Sequence, residues 1–156
     1  MERSNVERRV DEAQIREGLL RHWQFEGIDY DKSHEIYHDD AVLEFPQSGE
    51  RFVGKSSFLT WRKKYPAKLD FRIRKISHDG ALWVTENLIS YDGGPWMFTL
   101  NILTFRGDRI AHERLYVMEG WEAAEWRAPW AERFDPLEAI TPADWRDQGE
   151  SAGEEV

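Results

Sequence analysis

Apolar residues recur at intervals of three, four or seven along the first part of the chain: Val6, Val10, Ala13, Leu20 and Trp23. Such intervals return each side chain to the same side of an α-helix, so they predict one amphipathic helix over about residues 5–25. Gly27 is expected to end this helix.

Shorter elements are predicted between this helix and residue 66. A second helix is expected over about 31–38, and a short strand over 41–45, which Pro46 stops. The segment 47–54 is rich in polar residues and glycine and predicts a loop. A third helix is predicted over 55–65, because a proline follows it.

The apolar period changes from helical to two after residue 66. Leu69, Phe71 and Ile73 alternate with charged residues, which is typical of a strand with one buried face. Glycine-containing turns then recur at 78–80, 91–94 and 107–108. The pattern predicts four long strands, the last of them over 109–118, in an antiparallel meander.

The strand predicted over 96–106 is apolar on both faces. One face carries Trp96, Phe98, Leu100 and Ile102, and the other carries Met97, Leu103 and Phe105 with Thr99 and Asn101. Both faces therefore need cover, and three helices can cover only one of them. We expect a homodimer packed sheet against sheet on the outer face. Alternatively, the tryptophan-rich segment 121–134 folds back over that face.

Composition restricts the class of protein further. The chain has 156 residues, a net charge of −9 and no cysteine, so disulfides, thiolate nucleophiles and cysteine-rich metal sites are excluded. We expect a cytoplasmic protein, because no apolar stretch suits a signal peptide or a membrane span. The acidic charge disfavours nucleic acid as a partner.

Much of the negative charge lies at the end of the chain. Residues 135–156 carry seven acidic side chains against Arg146 alone, which leaves a net charge of −3 for residues 1–134. The sequence therefore predicts one α+β domain over 1–134 and an acidic, partly disordered tail over 135–156.

The order of these elements resembles a known superfamily. Three segments are similar to the SnoaL-like branch of the nuclear-transport-factor-two-like superfamily: YHDDAVLEFP at 37–46, G-x-S before the third helix, and LTFRGDRIAHERLYVMEGWEA at 103–123. The resemblance covers about residues 15–130. It implies a curved antiparallel sheet, with four long strands and one short one, wrapped around three N-terminal helices. This cone would have one central pocket at its open end.

The resemblance also implies a range of functions and some site positions. Members include isomerases, dehydratases, cyclases, epoxide hydrolases and non-catalytic binding domains. The general-base aspartate of ketosteroid isomerases corresponds to Phe45 here, and their oxyanion-stabilising acid corresponds to Asn101, four residues before Phe105. The acid that SnoaL-like cyclases take from the last strand corresponds to Glu113, or to Leu115 in a second alignment.

Two glutamates in the predicted strands are candidates for proton transfer. Glu113 shares a strand face with Ala111, Leu115 and Val117, and Glu86 lies between apolar residues of an earlier strand in the same way. Apolar surroundings remove the hydration of a carboxylate, which favours general acid or base chemistry. Alternatively, each of these two acids forms an ion pair with an arginine of the sheet.

His112 is a third catalytic candidate, and the strand face that it occupies depends on the turn at 107–108. A two-residue turn places Asn101 opposite Arg114 on the face with His112, whereas a three-residue loop places Asn101 opposite Glu113. Both arrangements remain open from the sequence.

Polar and aromatic residues near these acids are the expected ligand contacts: Asn101, Thr99, Asn87, Phe45, Tyr37, Trp61, Trp83 and Tyr91. We expect a cofactor-free lyase, isomerase or hydrolase that acts by acid-base chemistry on a small apolar carbonyl or epoxide compound. The alternative is a non-catalytic domain that binds a small organic molecule or mediates dimeric assembly.

The segment His34-Glu35-Ile36-Tyr37-His38 matches the zinc motif H-E-x-x-H. In that motif two histidines one helical turn apart bind zinc, and the glutamate activates water. The predicted helix is short and no third ligand follows at a familiar spacing. We therefore expect no metal, and keep a zinc hydrolase as a third alternative.

Overall fold

Helices precede a six-stranded sheet in the computed structural model, which describes residues 5–141, with side chains from residue 12 onward. The helices are α1 (Asn5–Phe25), α2 (Tyr30–Ser33) and α3 (Lys55–Lys63), and α2 continues into a 3₁₀ turn over His34–Ile36. The strands are β1 (Tyr37–Phe45), β2 (Glu50–Val53), β3 (Leu69–Asp79), β4 (Leu82–Tyr91), β5 (Met97–Arg106) and β6 (Arg109–Met118).

The strand order across the sheet is β2-β1-β6-β5-β4-β3. Neighbouring strands are antiparallel except β1 and β6, which are parallel. The sheet is therefore mixed and open, and its two edge strands are β2 and β3. The α+β cone that the sequence predicted is confirmed, with β1 joined to the last strand of the meander.

The core lies between the helices and the inner face of the sheet. Odd-numbered residues of β4 and β5, such as Trp83, Asn101 and Leu103, point to this face and are buried. Leu19 from α1 and Phe58 from α3 are buried on the helix side. The apolar stripe of each helix thus covers the strand face whose period of two the sequence displays.

Two of the predicted boundaries are wrong. The second helix ends early and β1 begins at Tyr37, because β1 pairs with β6 from the Tyr37–Ile110 position onward. The predicted loop over 47–54 contains β2, which pairs with β1 from Val42–Val53 to Phe45–Glu50. In both cases a partner strand imposes extended backbone on residues whose own pattern does not display it.

A β-bulge determines which residues of β6 lie on the inner face of the sheet. The 107–108 turn has two residues, because Arg106 pairs with Arg109, and Gly107 has a φ of 66°. The register then shifts after the Phe105–Ile110 pair, so Leu103 lies opposite Glu113 and Asn101 opposite Leu115. An extra residue in one strand reverses the facing of every later residue in that strand. Glu113 and Asn101 consequently share the inner face.

The chain after β6 runs along the outer side of the sheet. A groove there is lined by Phe98, Leu100 and Met118 from the sheet and by residues of the segment 119–136. The aromatic residues of this segment stay open to solvent: Trp121, Trp126, Trp130 and Phe134 are each at least 75% exposed. The segment 121–134 therefore borders the outer face without burying its own aromatic residues.

The first residues of the predicted tail pack against the edge strand β3. The Ile140 amide donates to the Ile73 carbonyl at 2.9 Å, and the Thr141 side chain is buried beside it. Residues 142–156 lie outside the described part of the chain, so the disorder of the tail stays a prediction. No helix between residues 5 and 141 is long and apolar enough to cross a membrane.

Candidate active site

A cavity lies between α1, α3 and the inner face of the sheet. Its volume is about 80 Å³, roughly half that of an apolar cavity of about 150 Å³ that takes up benzene. Tyr65 lines the cavity and is 37% exposed, so the cavity reaches the surface there. Most of the wall is aromatic or aliphatic: Trp23, Phe45, Trp61, Tyr65, Leu69, Phe71, Ile89, Tyr91, Leu115 and Val117. The site suits a small molecule, or part of a larger one that extends from the mouth.

Glu113, on β6, is the carboxylate in the part of the cavity wall that the sheet forms. It lines the cavity but is only 1% exposed. The Tyr37 hydroxyl donates a short hydrogen bond to its Oε1, and the Asn101 amide donates to its Oε2 at 2.7 Å. Two donors on separate oxygens fix the plane of the carboxylate and stabilise it in this buried position.

Tyr37 stays protonated in this arrangement. Its ring is buried, and both burial and the adjacent Glu113 charge raise the pKa of the Tyr37 hydroxyl well above its ordinary value. The hydroxyl is thus a permanent donor to Glu113 at neutral pH.

Behind Glu113 lies a layer of buried polar side chains from β4 and β5. The Asn101 Oδ1 accepts hydrogen bonds from Thr99 Oγ1 at 3.1 Å and from Asn87 Nδ2 at 3.3 Å. Asn87 Nδ2 also lies 3.2 Å from Thr85 Oγ1. These contacts orient the Asn101 amide so that its NH₂ group faces Glu113, and the layer positions the carboxylate without touching the cavity except at Thr99.

Arg62 supplies the positive charge in the cavity wall. It lies on α3 and is buried, and its Nη1 donates to His34 Nε2 at 3.0 Å. Burial disfavours the charged guanidinium, but Tyr37, Glu26 and Glu113 together raise the pKa of Arg62 above its ordinary value. A buried cation therefore lies in the field of two carboxylates that line the same cavity.

His34 is the neutral support of Arg62. Its Nδ1 donates to the Tyr30 carbonyl at 2.8 Å, which leaves the Nε2 lone pair to accept from Arg62. Burial and the neighbouring Arg62 charge lower the pKa of His34 to about 2. The imidazole therefore carries no charge at neutral pH.

The geometry of a zinc site is not formed by His34 and His38. His38 belongs to β1, and its Nε2 lies 2.6 Å from the Arg106 carbonyl, while both nitrogens of His34 have protein partners. His34 is buried, so it does not present a free ring to solvent. No cluster of three metal-binding side chains occurs among residues that the structure describes.

The structure separates the predicted site residues into three groups. Glu113, Thr99, Phe45, Trp61 and Tyr91 line the cavity. A second group lies behind the wall in contact with those residues: Tyr37, Asn101 and Asn87.

The third group, Glu86, His112 and Trp83, does not line the cavity. Glu86 pairs with Leu100 on the outer face, because it is out of phase with the inward residues of β4. His112 is also on the outer face, where its ring contacts Glu44, because the bulge turns Glu113 inward in its place. Trp83 is buried elsewhere, stacked on His78 with ring centroids 4.1 Å apart.

Sequence reasoning missed four polar residues near the cavity, namely Arg62, His34, His22 and Glu26. His22 lies in the last turn of α1, Glu26 directly follows the helix, and both residues line the cavity. Their spacing in the sequence is the only local signal, and such pairs are common on exposed helix faces.

Comparisons with known proteins give matches among solved structures alone. No family model matches the sequence, and the search of curated proteins found no match. The chain is similar to an NTF-2 like protein of unknown function from Burkholderia xenovorans LB400, with 39% identity over 80% of this chain and 98% of that one and a TM-score of 0.76.

Two more distant structures share the fold. A ketosteroid isomerase, so described provisionally, from Kribbella flavida is 18% identical, over 79% of this chain and 91% of that one, with a TM-score of 0.68. An LEH-like epoxide hydrolase from M. tuberculosis is 20% identical, over 67% of this chain and 83% of that one, with a TM-score of 0.59.

Proposed function

Because this chain belongs to the NTF2-like family, we propose that its cavity binds a small, largely apolar carbonyl or epoxide compound and that Glu113 transfers a proton to or from it. The observation that carries the proposal is the position of Glu113, a carboxylate that is 1% exposed and yet lines an apolar cavity. Such a group has a substrate-facing surface and little water to compete for it.

The chemistry assigned to Glu113 is that of a general base. Tyr37 and Asn101 each occupy one position on its two oxygens, and each oxygen keeps a second lone pair. In our proposal a proton from the substrate, or from a water that attacks it, is taken up there. No metal or organic cofactor is assigned to this step.

Arg62 is proposed to stabilise the negative charge that develops on the substrate oxygen. Asn101 was the expected donor for that charge, but its amide is directed at Glu113 and does not line the cavity. Arg62 lines the cavity, and a buried preorganised cation is an effective stabiliser of an oxyanion.

Two reactions fit this arrangement. In the isomerisation of a β,γ-unsaturated ketone, Glu113 removes the α proton, an enolate forms beside Arg62, and the same proton returns to the γ carbon. In epoxide hydrolysis, Glu113 takes a proton from water, the water oxygen attacks a ring carbon, and the carbon–oxygen bond breaks. The ring oxygen becomes a hydroxyl by taking up a proton from solvent, and Glu113 releases its own proton to solvent.

Allyl methyl ketone and propylene oxide are probes small enough to distinguish these reactions. We expect wild-type protein to convert one of them faster than buffer, and Glu113→Gln to lose roughly a hundredfold or more of that rate. Glu119→Gln, at an exposed position just after β6, is the matched control and should keep the full rate. Wild-type protein without turnover of either probe, or Glu113→Gln with the full rate, contradicts the proposal.

A second candidate is a binding domain without turnover. It is favoured by the donors that already engage both Glu113 oxygens, an arrangement that also suits a structural carboxylate. This candidate predicts that cyclopentanone binds to the protein while both probes react at the rate in buffer.

We also infer that the outer face of the sheet is a homodimer interface. Phe98, Leu100 and Ile102 are only half-buried there, and the exposed aromatic residues of 121–134 extend the apolar surface. Light scattering should give twice the chain mass at micromolar concentration, and Leu100→Glu should give a folded monomer. A monomeric wild-type protein would contradict the inference. The cytoplasmic location and the lack of a nucleic-acid partner stay predictions.

A further inference from the structure

His22, in the last turn of α1, and Glu26, just after it, place a histidine and a glutamate together in one wall of the cavity. Both side chains line the cavity, and the two residues are 3% and 4% exposed. Glu113 reaches the same cavity from β6. The cavity thus has a buried histidine and glutamate on one side and a buried carboxylate on the other. A pocket that only binds an apolar molecule does not require so many buried ionisable groups.

The hydrogen bond of His22 determines which nitrogen is available for chemistry. Its Nδ1 lies 2.6 Å from the Ser33 carbonyl oxygen. A carbonyl can only accept, so Nδ1 carries the hydrogen and Nε2 is the nitrogen left to gain or lose a proton. The backbone contact also fixes the orientation of the ring.

Glu26 lies where it stabilises a charged His22. Its Oε2 is 3.6 Å from His22 Nε2, which is longer than a hydrogen bond and within ion-pair range. A carboxylate at this distance stabilises an imidazolium by its charge. The arrangement is that of a proton-transfer histidine with an orienting backbone acceptor and a charge partner.

We propose that His22 is a catalytic acid that works opposite Glu113, with Glu26 as the residue that stabilises its protonated form. This inference rests on the proposed function and adds a second proton-transfer group to it. Protonated His22 donates from Nε2 to the substrate oxygen while Glu113 removes the α proton, which gives a neutral enol in place of the enolate described above. Glu113 then returns its proton to the γ carbon, and His22 takes back the hydroxyl proton, so both groups end as they began.

The test compares variants with allyl methyl ketone as the probe. His22→Ala should lose roughly a hundredfold or more of the turnover rate. Added imidazole should raise the turnover rate of this variant at least tenfold, because it enters the space that the side chain leaves. A structural role for His22 gives no such rescue. His78→Ala, on β3 and outside the cavity lining, is the matched control and should be unaffected by imidazole.

A second variant covers the case in which His22→Ala does not fold. His22→Gln keeps a donor for the Ser33 carbonyl but transfers no proton, so it should lose a similar part of the rate and show no rescue. Full turnover by folded His22→Gln, or folded His22→Ala that imidazole leaves unchanged, would overturn the inference. If Glu113→Gln is inactive while His22→Gln is active, this inference alone fails. Wild-type protein without turnover overturns both proposals.

Discussion

The Tyr37 hydroxyl donates to the Glu113 carboxylate, a contact between two side chains that are 76 residues apart in the sequence. Tyr37 begins the first strand and Glu113 lies on the last, and the parallel pairing of β1 with β6 brings them together. The same contact joins the residue that we propose as the general base to the core of the protein. The strength of this link is therefore measurable both as stability and as activity.

The first prediction concerns the energy of that hydrogen bond. Tyr37→Phe should lower the free energy of unfolding by about 1–3 kcal/mol, because it leaves a buried carboxylate oxygen without its donor. In the Glu113→Gln background the same change should cost at least about 1 kcal/mol less, since a neutral amide needs the donor less. Urea denaturation of the two single variants and the double variant measures this coupling. Tyr116→Phe, on the outer face of β6, should cost the same in both backgrounds, and equal costs for Tyr37→Phe would contradict the contact.

The second prediction follows from the lowered pKa of His34. The unfolded chain takes up a proton near pH 6.5, whereas folded His34 stays neutral until about pH 2. The unfolded state thus binds more protons in this range, and stability falls as the pH falls below 6.5. Between about pH 7.5 and about pH 5.5, the parent should lose about 1.4 kcal/mol more than His34→Gln.

Urea denaturation of the parent and of His34→Gln at several pH values tests this difference. Parallel curves for the parent and His34→Gln would show that His34 takes up its proton in the folded protein.

The third prediction concerns recognition of the ligand oxygen. The indole N–H of Trp61 is buried without a hydrogen-bond partner in the described part of the chain, and the side chain lines the cavity. Trp61→Phe should therefore weaken cyclopentanone binding by roughly 3- to 10-fold, which corresponds to one hydrogen bond. Binding of methylenecyclopentane, which has no oxygen, should change less. Calorimetric titration measures both, and equal losses for the two ligands would argue for a packing role alone. Trp126→Phe, at an exposed position, is the control.

The fourth prediction is that the protein holds no stoichiometric zinc. His34 supports Arg62 and His38 belongs to a strand, so the two rings do not face one metal position. Metal analysis of purified protein should find far less than one zinc per chain, and a chelator should leave the melting temperature unchanged. About one zinc per chain, absent from His34→Ala, would contradict this geometry.

The local pattern of apolar residues and turns was sufficient to predict most of the fold. The ranges of β3 to β6 follow from a period of two and from glycine-containing turns, both of which lie within the strands themselves. The early start of β1 at Tyr37 and the strand β2 depend on pairing with distant residues, so no local pattern displays them. The bulge at β6 is of the same kind, because one extra residue changes the facing of Glu113 while leaving the turn at 107–108 intact.

The candidate site was predictable only on its sheet side. Glu113 is recognisable because a carboxylate among apolar residues of a strand departs from the pattern. Arg62 and His22 lie on helices and Glu26 directly follows one, and charged residues are ordinary in such places. Tertiary packing alone buries them, so the cation and the second acid-base pair of the cavity were not predicted.

The most direct test of Glu113 as the base is hydrogen exchange at the α carbons of cyclopentanone in D₂O, measured by NMR. It reports proton removal by the protein without requiring knowledge of the natural substrate. We predict that wild-type protein accelerates the exchange above the rate in buffer, and that Glu113→Gln loses roughly a hundredfold or more of this acceleration while binding cyclopentanone with similar affinity. Exchange by Glu113→Gln at the wild-type rate, or by wild-type protein at the rate in buffer, would contradict the assignment of Glu113 as the base.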